Sequence, residues 1–177
     1  VYAGVPEYPN INTYVNINTG YMGDSILIHE FAHSLGLIDY YDVTYSGIDA
    51  VGNYDMQSGN VGDWNPYSKY AVGWITPEVI TGLEKGQSVE VEIGAFATTG
   101  DAIVIPAAEN EYNGTPFDEY LLVDLFTDGG VNKYDAADFG LDGEVGVRIY
   151  HIDAIMESHE VKLDDPRYME RCTVGTV

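Results

Sequence analysis

The run HEFAHSLGLID, from His29 to Asp39, constrains this chain more than any other stretch. Two histidines four residues apart fall on one face of a helix with Cβ atoms about 5–6 Å apart, so His29 and His33 can both reach one ion. Imidazole nitrogens at that spacing suit zinc. Glu30 sits roughly a quarter-turn further round the axis, near enough to touch a water on the metal but poorly aimed to be a ligand itself. General base is the role that fits it. Gly36 stands where a left-handed residue would end the helix and turn the chain back, which brings Asp39 within reach. No further histidine follows close to the motif, the next being His151, so Asp39 or a more distant carboxylate stands as the third ligand. Ile28, Phe31, Ala32 and Leu35 also form an apolar stripe at helical spacing. That stripe predicts how the helix is anchored, but it gives no reason for the His-Glu pair, the second His, the Gly and the acid in succession. The predicted helix starts from Asp24 or Ser25 as N-cap and runs to about Leu35.

Acids outnumber bases 29 to 7, for a net charge of −22. That argues against nucleic acid and against anionic membrane surfaces as partners, since both carry the same sign. Asp42, Asp49 and Asp55, and later Asp135, Asp138, Asp142 and Glu144, are oxygen-rich groupings of the kind that hold Ca²⁺; solvated turn acids give the same pattern. The lone Cys172 excludes an intrachain disulfide, so stability rests on packing, metal or both. An apolar content of 45% over 177 residues supports one good-sized domain or two small ones. No run of about 18 apolar residues offers a membrane span, and the opening VYAGVPEYPN lacks the basic and apolar regions of a signal peptide. Without an initiator Met, the chain reads as a mature form or a fragment.

Ile11 to Ile17 alternates apolar and polar residues, the period of a half-buried strand. Such a strand is either purely structural or, lying just before the metal helix, an edge for pairing an extended substrate. From Leu37 to Asn60 the composition turns to Tyr, Asp and Gly, which is loop chemistry. Asn65 and Pro66 then read as the start of a short helix over Tyr67 to Val72, ended by Gly73. With 15 tyrosines in the chain, none can be singled out as a donor to substrate. After Pro77 the pattern changes to strands at Ser88–Ile93, Ala102–Ile105, Tyr120–Phe126 and Val145–Ile152. The organisation expected is α+β, with a metal-helix part at residues 1–77 and a β-rich module at 78–177.

HExxHxxGxxD resembles the extended metzincin signature with Asp in place of the third His. LGLIDYYD followed by VGNYDMQSGNVGDWNPYSKYAVGW resembles the immune inhibitor A family of secreted metallopeptidases. The motifs cover Ser25 to Trp74, and a weaker likeness continues through EYLLVDLF and GVRIYHIDA into that family's β-rich region. The resemblance implies a secreted zinc endopeptidase acting on protein or peptide substrates, with His29, His33 and Asp39 as Zn²⁺ ligands, Glu30 as base and Met56 as the Met-turn residue. A sizeable sheet-and-helix scaffold usually precedes the zinc helix in that family, whereas only 24 residues precede Ser25 here. The fold expected is therefore an incomplete metzincin-like catalytic part followed by an antiparallel β-rich module. A non-catalytic zinc-stabilised binding module is the alternative, and it leaves Glu30 without a purpose.

Overall fold

A computed structural model describes residues 15, 17, 20, 23–42, 47, 50–52, 54–59, 62–106, 112–139 and 144–154. The strand expected at Ile11–Ile17 lies outside them, apart from Val15 and Ile17. Helix α1 spans Asp24–His33. Its N-cap is Gly23 rather than Asp24 or Ser25 and makes no side-chain cap bond; Asp24 falls in the first turn, where a negative charge complements the helix dipole. At the other end Gly36 adopts φ 98°. The Gly36 N–H donates to His33 O at 3.1 Å and the Leu37 N–H to Ala32 O at 3.2 Å, the pair of bonds that closes a helix through a left-handed glycine.

The apolar stripe of α1 departs from expectation. Ala32 is buried, but Ile28, Phe31 and Leu35 are exposed among the described residues. The helix is held instead from its histidine side, where both rings bond to backbone carbonyls of the following loops.

Helix α2 spans Pro66–Ala71, as the Asn-Pro pair predicts. The Asn65 side chain caps it by accepting from Ser68 N–H, and Pro66 occupies the first turn, where its missing N–H costs nothing. Gly73 follows at φ 75°. Beyond it come β1 (Glu78–Val79), α3 (Phe96–Thr99), β2 (Ile103–Pro106), β3 (Glu119–Thr127), α4 (Asn132–Phe139) and β4 (Val145–Asp153). The architecture is α+β around one four-stranded sheet in the order β1-β2-β3-β4.

Strands β2, β3 and β4 form an antiparallel meander, but β1 pairs parallel to β2, so the sheet is mixed rather than purely antiparallel. No strand forms over Ser88–Ile93. Its alternating pattern offers an apolar face, but β2's outer edge is already taken by β1, and Val89 is left exposed. Among the described residues the nearest pairing is a parallel bridge from Ala95 to Leu125. Helix α4 occupies a stretch whose acids read as a loop; Asp135 there is buried and accepts from Gly62 N–H.

On β3 the period of two is plain. Tyr120, Leu122, Asp124 and Phe126 are buried, and the residues between them face the other way. The buried cluster joins Ala102, Val104, Tyr120, Leu122, Ile152 and Ala154 to Tyr40 and Tyr67 from residues 1–77. Asp124 is fully buried on this inner face, directly opposite Arg148 on β4. The guanidinium grips the carboxylate through Nε and a terminal nitrogen, and stacks over Phe126 and Tyr150. Burial pushes Asp124 above the usual carboxylate range, and the bond and charge from Arg148 pull it back. Among the described residues no helix is long and apolar enough to cross a membrane.

Candidate metal centre

Helix α1 presents His29 and His33 on one face, with ring centroids 4.9 Å apart and ring planes at 88°. The His29 Nδ1–H donates to Met56 O at 2.8 Å and the His33 Nδ1–H to Leu37 O at 2.7 Å. A carbonyl can only accept, so each bond fixes the proton on Nδ1 and leaves the Nε2 of a neutral ring with a free electron pair. Backbone carbonyls orient metal-binding imidazoles in this way.

The turn closed by Gly36 then brings Asp39 across the helix end. Its Oδ1 lies 3.0 Å from His29 Nε2 and 3.4 Å from His33 Nε2. That oxygen is buried and has no hydrogen-bond partner. Three electron pairs thus converge on one point, an arrangement made favourable by a cation at its centre or by an extra proton on an imidazole. Ligand atoms about 2.0–2.1 Å from a tetrahedral zinc stand roughly 3.3 Å from one another, which matches these separations. His29, His33 and Asp39 are the one group of three or more His, Cys, Asp or Glu residues among the described ones whose ligand atoms lie within 4.8 Å of one another. The donor set, two nitrogens and one carboxylate oxygen, fits zinc with a fourth position left for water.

Glu30 is half-buried and does not belong to that group. Its charge is nonetheless felt at Tyr41, a residue that sequence reasoning missed. The Tyr41 ring runs nearly parallel to that of His29, with centroids 6.3 Å apart and planes at 22°. Burial, a hydrogen bond to Asp39 and the charges of Asp39 and Glu30 push the Tyr41 hydroxyl up to about 12, so it stays a protonated donor at neutral pH. Tyr67, by contrast, is buried in the sheet cluster.

Comparison with protein-family models, with curated proteins and with solved structures finds no match. Acids elsewhere gather no comparable cluster among the described residues. Asp42 accepts from Gly47 N–H, Asp49 and Asp142 lie outside the described residues, and Asp138 and Glu144 are exposed.

Asp55, read from sequence as a turn acid or calcium ligand, is instead fully buried. Its Oδ1 accepts from Gln57 N–H at 2.7 Å, and its Oδ2 accepts from Asn65 N–H and Ser68 Oγ, each at 2.7 Å. Burial pushes its carboxyl up to about 6, against the pull of those three bonds. The side-chain bond to the backbone two residues on is a turn habit of Asp that the sequence did offer as a signal.

Proposed function

We propose that this chain carries the metal centre of a secreted zinc endopeptidase of metzincin-like design, related to the immune inhibitor A family. The observation that carries the reading is the orphaned Asp39 Oδ1 facing two imidazole nitrogens whose tautomers are already set. Further support comes from Met56, which is buried in the turn whose carbonyl orients His29, where a Met-turn would put it.

Zinc held there would supply a Lewis acid that lowers the pKa of water and polarises a scissile carbonyl. His29, His33 and Asp39 would hold it. Glu30, free of the ligand set, would take the water's proton on its carboxylate and deliver it to the leaving amine. Tyr41, stacked beside His29, is placed to donate through its hydroxyl to the Asp39 carboxylate. The substrates are proteins or peptides, and the acidic surface disfavours polyanions.

Elemental analysis of the purified chain, with casein zymography with and without chelator, tests this reading. One zinc per chain with chelator-sensitive clearing is the expected result; zinc without clearing would point to a binding module, and no zinc at all would sink the proposal. Asp39→Ala is expected to weaken zinc binding about 100- to 1000-fold, because a structural-site free energy of roughly 10–16 kcal/mol shared among about four ligands leaves about 2.5–4 kcal/mol for each. Chelator competition measures the change.

A further inference from the structure

We propose that Asp55 is a positioning residue for the metal centre, holding the turn whose Met56 carbonyl sets the tautomer and aim of His29. The inference rests on the zinc-site reading. One oxygen of the carboxylate binds Gln57 N–H and thereby fixes the peptide that follows Met56. The other binds Asn65 N–H and Ser68 Oγ, tying the turn to the capped start of α2. Held at both ends, the turn aims Met56 O at His29 Nδ1.

Gln57 extends the same grip. Its carbonyl accepts from Tyr40 N–H at 3.0 Å, next to Asp39, and its side-chain Nε2–H donates to His29 O at 3.3 Å. Ser68 Oγ also reaches the Tyr40 hydroxyl at 3.1 Å. One buried carboxylate therefore organises the acceptor of the first ligand and the loop of the third. Its geometry is not that of a ligand, because all its close partners are N–H or O–H donors. An Asn at this position would turn one oxygen into an amide nitrogen facing those donors, and the turn would have to shift.

The test compares the full chain with Asp55→Asn and, as a milder variant, Ser68→Ala, which removes one of the three donors. Two readouts are taken on folded protein: the ¹⁵N shifts of the His29 ring without metal at neutral pH, and zinc affinity by competition with a chelating dye. In Asp55→Asn the His29 ring is expected to become a mixture of the two neutral tautomers, and zinc to bind about 10-fold more weakly. Ser68→Ala is expected to move the same way by about 3-fold, the worth of one weak hydrogen bond, and it carries the test if Asp55→Asn does not fold. A merely structural Asp55 would lower the unfolding midpoint and leave the tautomer alone, so a folded variant with the parent's His29 shifts and unchanged zinc affinity overturns the proposal. If the parent chain binds no zinc, the metal reading fails by itself, and the tautomer comparison still decides the role of Asp55.

Discussion

Glu30→Gln is expected to keep zinc binding unchanged and to lower peptide hydrolysis by about 1000-fold, within the range that a positioned general base contributes. The substitution preserves shape and removes only the ability to accept a proton. Zinc should be indifferent to it, since among the described residues the converging ligand atoms come from His29, His33 and Asp39. Single-turnover rates on a quenched fluorescent peptide, alongside metal content, separate the two effects. Unchanged turnover would remove Glu30 from the chemistry, and lost zinc would make it a ligand.

The second large effect lies in the sheet. Arg148→Met is expected to destabilise the fold by about 3–5 kcal/mol at neutral pH, because it strands a fully buried carboxylate without its partner. The sign of the pH dependence follows. Without Arg148 the folded pKa of Asp124, already raised by burial, rises further above its unfolded value. The folded state then binds the extra proton, so stability is lost as pH climbs through that raised pKa and recovers in acid. Urea midpoints across pH measure this. The double variant Asp124→Leu with Arg148→Met should recover most of the loss, since an apolar pair of similar volume removes the desolvation cost along with the attraction. A single variant as stable as the parent at neutral pH would show that Asp124 finds water or another donor.

The sequence announced what chemistry dictates at short range. The His29–His33 spacing has little meaning except on one helix face, Gly36 marked the turn, and Asp39 arrived where that turn predicts. Asn65-Pro66 marked α2 for an equally local reason, and the alternation on β3 and β4 gave both strands within a residue or two. What failed depended on distant partners. Ser88–Ile93 had a strand's pattern but pairs with none of the four strands, and α1's apolar stripe had no described surface to cover most of it. Asp135 looked like a solvated loop acid until a helix turned it toward the Gly62 backbone. The roles of Tyr41 and Asp55 depend on contacts made across the fold, and one tyrosine among 15 carries no mark of its position.

Tyr40 lies between Asp39 and Tyr41 in the chain, yet its ring belongs to the cluster under the sheet. The loop that carries Asp39, the proposed third ligand, is therefore mounted on an anchor sunk in the hydrophobic interior. The backbone beneath Asp39 cannot swing outward without dragging that phenol into solvent, so any release of an ion that needed the loop to move would wait on a breathing motion of the interior itself. Slow exchange of bound metal would then be a property inherited from the sheet, not from the strength of the coordinating bonds.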